Sequence, residues 1–263
     1  MVQLSGAEKA RTISRMFGRI ASRYDTGNRL LSMGRDQGWR RRAVRLLDPQ
    51  PGQRILDLGA GTGDLSLKIA PSAGSVFALD ISGPMVSLGS RKATRAGVAG
   101  KVGFMVSDGL RLPFRDSTFD GVATAFTIRN LASIEDGLAE IFRVLKPGGS
   151  IAFTDILEGS SMTTPVRERL RQEMTFTELN TLDGYRALLD ANGCDLKKTE
   201  NLTEEWAQVL IKRLAMYRRL KDQTVARFGS SHFEKWDRTY SFFVSLYTSG
   251  ELGGGRFLAR KCG

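Results

Sequence analysis

The chain has 263 residues, 41% of them hydrophobic, with 14 Phe and 3 Trp, enough for one large or two small domains around a sizeable core. Its formal net charge is +11, and two cysteines without ligand spacing exclude a disulfide scaffold and a cysteine-rich metal site. No apolar run approaches the ~18 residues of a spanning helix and the polar N-terminus has no leader-like stretch, so a reducing cytoplasm is the expected compartment.

Residues 1–45 hold eleven basic side chains against three acidic ones, which is +8 of the +11. Helices are predicted there, joined at Gly27 and Gly34. Arg11, Arg15, Arg19 and Arg23 recur every four residues and share one helical stripe. Ile13, Met16, Phe17, Ile20 and Tyr24 form the apolar stripe beside it. The bland expectation is a cap packed on the domain. The sharper one is peripheral contact with an anionic membrane, at the inner face of the membrane. Nucleic acid is not an expected partner, because no helix-turn-helix, zinc or aromatic platform pattern accompanies the charge.

Pro49, Pro51 and Gly52 then punctuate the chain, and short apolar runs begin to alternate with helical segments. Strands are predicted over 54–58, 75–80, 102–107, 119–125 and 150–155. Helices are predicted over 64–70, 84–96 and about 134–145, the last stopped by Lys146-Pro147-Gly148-Gly149. This alternation predicts a parallel sheet covered on both faces. Beyond it come a helix over 182–191, stopped at Asn192-Gly193, and a strand over 195–200. Two helical stripes follow, Trp206 to Leu220 and Phe233 to Tyr247, whose aromatics read as core, with a substrate wall as the alternative. Gly253-Gly254-Gly255 leads into a last strand over 256–261. The fold expected is α/β and Rossmann-like: a doubly wound, seven-stranded, mostly parallel sheet with an N-terminal helical lid (1–48) and a helical acceptor-covering region (about 156–249) before the last strand.

The strongest chemical signal is Ile55-Leu56-Asp57-Leu58-Gly59-Ala60-Gly61-Thr62-Gly63-Asp64. Glycines there allow a tight turn after the first strand and close backbone approach to a ligand. Asp80, at the end of the second strand, is placed to accept both hydroxyls of a ribose. The glycine spacing is not that of a dinucleotide fingerprint, and Asp57 precedes it, suited to a ligand that carries an ammonium. Ser107-Asp108-Gly109 closes the third strand, where an acid meets an adenine amino group; then come Leu112-Pro113-Phe114, Ser117-Thr118-Phe119-Asp120 and Arg143 to Gly149. In that order these segments resemble the successive motifs of class I methyltransferases over about residues 54–155. The resemblance implies S-adenosyl-L-methionine as cofactor; no metal is expected.

A closer resemblance joins Phe17-Gly18-Arg19-Ile20-Ala21-Ser22-Arg23-Tyr24-Asp25, Asn28-Arg29-Leu30-Leu31-Ser32-Met33-Gly34, Trp39-Arg40 and Phe126-Thr127-Ile128-Arg129-Asn130. These segments are similar to signatures of the ubiquinone/menaquinone biosynthesis C-methyltransferase family. The resemblance implies cofactor contacts at Thr62, Asp80 and Asp108-Gly109, and a backbone contact at Ala125, where the family has a serine. It departs near Asp155, and the tail around residues 249–261 resembles amine and phospho-base N-methyltransferases instead.

Tyr24 as a lid residue, Arg129, and Asp155 at a strand's carboxyl end are the catalytic candidates. Each also has a plain reading: a packing tyrosine, a solvated arginine, a loop-capping aspartate. His232, the chain's one histidine, would be a base or an ordinary helix residue. The expected acceptor is a small molecule or lipid, a demethylated quinol or similar isoprenoid. Alternatives are an amine or phospholipid head group, or a non-catalytic adenosylmethionine-binding, membrane-associated module.

Overall fold

The computed structural model describes residues 6–263 except 33, 175 and 177, with backbone alone at 7, 26–28, 30, 31, 173 and 174. Asn28, Leu30, Leu31 and Met33 of the N-terminal signature therefore lie outside the described side chains. Helix α1 (Gly6–Leu31) runs 26 residues, without the predicted joint at Gly27. One glycine inside a long helix costs only about 1 kcal/mol, which neighbouring turns offset. The break falls at Gly34, whose φ of 77° suits glycine, and α2 (Asp36–Leu47) follows.

Strands β1 (Arg54–Leu58), β2 (Ser75–Asp80), β3 (Val102–Val106) and β4 (Phe119–Ala125) alternate with helices α3 (Ser66–Ile69), α4 (Gly83–Arg95) and α5 (Ile134–Val144). Then come β5 (Leu145–Glu158), α6 (Thr164–Met174), α7 (Leu182–Ala191), β6 (Cys194–Asn201), α8 (Thr203–Arg219), α9 (Lys221–Phe228), α10 (Ser230–Thr248) and β7 (Leu252–Lys261). The seven strands form one sheet in the order β3-β2-β1-β4-β5-β7-β6, parallel except that β7 runs antiparallel to both neighbours. Strand order reverses between β1 and β4, so a crevice opens at their carboxyl ends, where open α/β sheets bind ligands.

Two expected boundaries move, for reasons of packing. Lys146 to Gly149 does end α5, but inside β5: Phe119 pairs with Leu145, and Gly121 next pairs with Ser150, so those residues bulge out of the ladder. The three glycines before the last strand belong to β7 itself, because the side chains of Thr203, Trp206, Leu157 and Phe257 occupy the space that Cβ atoms would need.

Alternation along β1 divides the core. Ile55 packs with Ala43, Leu47, Ile69 and Ala93 on one face. Leu56 and Leu58 pack with Phe119, Ile134, Leu138 and Phe153 on the other. Burial of each such large side chain contributes about 1.5–3 kcal/mol. Caps fix the helices on that second face: Ser133 accepts from the Asp136 amide, and Thr181 from the Gly184 amide. A third cluster, including Ile156, Leu202, Trp206, Leu246, Tyr247 and Leu252, holds α8 and α10 against the sheet. Glu200 on β6 ties this region to α2 through Arg42 (2.6 Å) and to β7 through Arg256 (2.6 Å). Burial opposes ionisation of Glu200, yet the bonds from Arg42, Arg256 and Lys198 outweigh it and hold its pKa at about 2.

Candidate active site

The turn after β1 has the backbone that its glycines foretell. Gly59 and Gly61 have φ of 68° and 56°. A Cβ at Gly59 would collide with Thr127, whereas one at Gly61 would meet only the Tyr24 ring, at 3.8 Å, beside open space. Asp80 braces the turn: its carboxylate accepts the Gly61 and Ser82 amides, both at 2.8 Å. Each oxygen keeps lone-pair capacity for a ligand hydroxyl. Burial raises the Asp80 pKa, and these two amides counter it. Asp108 accepts the Leu110 amide at 3.0 Å and stays exposed, next to the buried Gly109. Gly59, Gly61, Asp80, Asp108, Gly109 and Ala125 all line one cleft, roofed by Ile13, Phe17 and Tyr24 of α1. A cleft with a ribose-ready carboxylate and an open glycine turn fits a nucleoside ligand.

Asp57 and Thr62 are placed differently. Asp57 is buried, and the Ser66 hydroxyl donates to it at 2.5 Å. Burial raises its pKa to about 6, against the lowering effects of Ser66 and the Arg40 charge. The Thr62 hydroxyl donates to Asp25 of α1 at 2.5 Å, and Lys92 of α4 reaches it at 3.2 Å. Lys92 also pairs with Asp25 (2.8 Å) and with Asp64. Thr62 thus sits in a charged latch between α1, the glycine turn and α4. The Ser14 hydroxyl adds a bond from α1 to the Ile81 carbonyl at 3.1 Å.

Beyond the turn lies a larger cavity of about 450 Å³. Trp39, Phe126, Trp206, Tyr240, Phe243 and Tyr247 supply most of its aromatic wall. Phe126 follows β4 with φ of 61°, a conformation rare for an aromatic residue and often found at functional sites. Its ring lies 5.5 Å from that of Trp206 and 5.4 Å from the Arg129 guanidinium. Arg129 lines this cavity while its guanidinium pairs with Asp155. Asp155 is 0% exposed and lines neither cavity. Its carboxylate also accepts the Arg129 amide (3.0 Å), the Ile156 amide (2.9 Å) and the Tyr185 hydroxyl (3.2 Å). Burial first, and then the Asp155 charge, push the Tyr185 pKa well up, so Tyr185 remains a donor.

The sequence profile of the ubiE/COQ5 methyltransferase family matches residues 5–179. The chain belongs to the ubiE/COQ5 methyltransferase family. It is 44% identical over 151 residues to the ubiquinone/menaquinone biosynthesis C-methyltransferase UbiE of Geotalea daltonii, covering 56% of this chain and 64% of that one. It is 49% identical over 139 residues to the demethylmenaquinone methyltransferase of Thermus thermophilus, covering 52% and 62%. The chain thus spans less than two thirds of the length of these relatives. Among solved structures, phosphoethanolamine N-methyltransferase 2 of Haemonchus contortus, in complex with S-adenosyl-L-methionine, matches with TM-score 0.74 at 20% identity, covering 86% of this chain and 53% of that chain. That likeness speaks for the fold alone.

Of the residues singled out in the sequence, Tyr24, Gly59, Gly61 and Ala125 line both cavities, and Arg129 lines the larger one. Asp155 stands behind Arg129. His232 is exposed near the start of α10, between Phe228 (5.2 Å) and Trp236 (6.4 Å), and lines neither cavity. The aromatic stripes serve both readings: Phe233 is core, Trp206 and Tyr247 are buried in the third cluster and also line the larger cavity, and Trp236, Tyr240 and Phe243 line it too. Phe126 and Trp39 were not singled out as site residues. Phe126 stood inside a quoted motif, next to the end of a predicted strand, and that position was the available signal. Trp39 likewise belonged to the N-terminal signature, with nothing to mark it as facing a cavity.

Proposed function

We propose that this chain transfers a methyl group from adenosylmethionine to a ring carbon of a demethylated quinol, or of a similar isoprenoid-bearing hydroxyarene. The observation that carries this reading is a large aromatic cavity, open to the cofactor cleft, with an arginine on its wall. Family membership and the quinone-biosynthesis names of the relatives support it.

When bound, the cofactor supplies a methyl already activated by its sulfonium. Asp80 holds the ribose hydroxyls and Asp108 the adenine amino group. The Gly59–Gly61 backbone and Ala125 let the cofactor approach closely, and Asp57 gives a buried negative charge near its ammonium. Tyr24, with α1, closes over both ligands and excludes water. A quinol ring carbon would attack as the quinolate, its hydroxyl proton having passed to solvent before closure. The C–CH3 bond would form as the S–CH3 bond breaks to leave adenosylhomocysteine, and the ring-carbon proton would then be lost to solvent. The fixed charge of Arg129 favours that phenolate, and Asp155 holds Arg129 in place. Asp155 is thus a positioning residue, closed off from any ammonium acceptor. Of the cavity's own carboxylates, Asp36 and Asp64 are paired with protein cations and Asp57 is assigned to the cofactor, so none is left for an ammonium acceptor. Residues 1–48 then act as a lid and about 156–249 as the acceptor cover, with α1 also resting on an anionic membrane.

The test supplies purified protein with methyl-labelled cofactor, a reduced demethylated quinol and a panel of amines. Label on the quinol ring is the expected result. Label on an amine alone overturns the acceptor, and no adenosylhomocysteine with any acceptor overturns the enzyme.

A further inference from the structure

Large apolar side chains left in water gather in one part of the chain. Of the seven that are exposed among the described residues, Ile211, Leu220, Phe228 and Trp236 fall between the second half of α8 and the start of α10. Single exposed apolar residues need no explanation, but a contiguous group of aromatics does. Phe228 is 56% exposed and Trp236 is 47% exposed. The exposed His232 ring joins them, 5.2 Å from Phe228 and 6.4 Å from Trp236. Three rings thus form one row that faces water at the elbow between α9 and α10.

The row ends at the larger cavity. Among the residues that line this cavity Trp236 alone is exposed, so it stands at the mouth. Tyr240, Phe243 and Tyr247 carry the same face of α10 inward along the wall. Charge is concentrated at the same place. Residues 211–240 hold eight basic side chains against three acidic ones. Two of those acids are already paired, Asp237 with Arg218 at 2.7 Å and Glu234 with Arg238 at 4.0 Å. The Arg227 guanidinium lies 5.2 Å from the Phe228 ring centroid, and Lys235 beside Trp236 is exposed. The other basic segment, α1, lines the same cavity through Phe17 and Tyr24. Its surplus of +8 over residues 1–45 and the +5 here exceed the chain's +11, so the remainder is net acidic. A second copy of the chain, docked face to face, would set like charges against each other. An anionic bilayer neutralises them, and aromatic rings beside arginine and lysine are the side chains that settle at its surface.

We propose that the α9–α10 elbow is a docking surface for an anionic lipid bilayer, with Phe228 and Trp236 as its apolar anchors, and that it seats the mouth of the larger cavity against the lipid. An amphiphilic acceptor then enters past Trp236 without crossing water. This surface is distinct from the arginine stripe of α1: it adds inserted rings to electrostatic attraction. Its residues lie beyond the family match, which ends at residue 179, so it belongs to the chain's own C-terminal third. Passage of the acceptor rests on the reading of a lipid acceptor; the seating itself does not.

The experiment uses vesicles of phosphatidylcholine, with and without phosphatidylglycerol, whose brominated acyl chains quench indole fluorescence on contact. No acceptor is added, so a failure here leaves the methyl-transfer reading standing, and a failure to label a quinol leaves the seating standing. Wild-type emission should be quenched by the phosphatidylglycerol vesicles. Trp236→Phe should still float with them but lose most of the quenching, because Trp206 is buried and the Trp39 indole N–H is bonded to Glu205. Phe228→Ser changes an exposed position, so it should keep the wild-type melting temperature and bind the vesicles about tenfold more weakly. Quenching that survives Trp236→Phe, or vesicle affinity indifferent to Phe228→Ser, overturns the seating even where α1 holds the chain on the vesicle. Self-association of wild type without vesicles that Phe228→Ser abolishes overturns it in favour of a second copy.

Discussion

Asp57 is a carboxylate only 1% exposed, at the edge of the larger cavity. Its pKa of about 6, against 3.8 for a free aspartate, means that the folded chain holds this proton more tightly than the unfolded one. Stability from Asp57 is therefore complete below pH 3.8, declines as pH rises towards 6, and is absent above it. At neutral pH the buried charge opposes folding by roughly 1–3 kcal/mol. Asp57→Asn keeps an acceptor for the Ser66 hydroxyl and removes the charge. Its melting temperature without cofactor should exceed wild type by a few degrees at pH 7.5 and by less at pH 5. Its affinity for adenosylmethionine should fall about tenfold or more. Melting curves across pH, with calorimetric titration, would measure both effects; a variant less stable than wild type at pH 7.5 contradicts the assignment. The residue would then be one more example of stability yielded to binding.

At the scale of elements, α1 serves two surfaces. Ile13, Phe17, Ala21 and Tyr24 turn inward, while Arg11, Arg15, Arg19 and Arg23 are exposed. Ile20, expected on the packed face, is 43% exposed and stands among the arginines. A basic stripe with an apolar side chain in it suits an anionic lipid surface, where each arginine contributes about 1 kcal/mol. Flotation with anionic vesicles should recover wild type, and recovery should fall when the four arginines become glutamine or when salt is raised. Equal recovery with neutral and anionic vesicles would remove the membrane role. No helix among the described residues is long and apolar enough to cross a membrane. The elements differ in how far they could be read beforehand. Strand β4 and helix α7 follow directly from apolar runs and stop signals, because local pattern decides them. The glycines of β7 read as the lead-in to a strand rather than part of it, since only the tertiary approach of Trp206 and Phe257 explains why a strand there lacks side chains. Gly27 misled for a similar reason: a break needs more than one tolerant residue.

Across the whole molecule, the cleft at the glycine turn was legible and the larger aromatic cavity was not. The cleft is built from strand ends, so Gly59, Gly61, Asp80 and Asp108 sit beside apolar runs that announce them. The cavity draws Trp39 from α2, Phe126 from the end of β4, Trp206 from α8 and Tyr240 from α10. Periodicity says that such side chains face inward, but not that the space between them is left open. Asp155 shows the same limit: its partner Arg129 is 26 residues away, and only the fold brings them together.

Phe17, Tyr24, Gly59, Gly61, Ala125 and Phe126 border both cavities, so the spaces proposed for donor and acceptor lie side by side. The order of events follows. Under the proposed function the methyl needs no resting place on the enzyme, and both ligands should be present together before the first product leaves. Because α1 covers both spaces, product escape should wait on release of its latch at Asp25 and Lys92. Initial rates measured against both substrates should give double-reciprocal lines that intersect, the mark of a ternary complex, and parallel lines would rule it out. Lys92→Ala should loosen the latch and speed adenosylhomocysteine release, so that turnover rises wherever departure rather than transfer sets the pace.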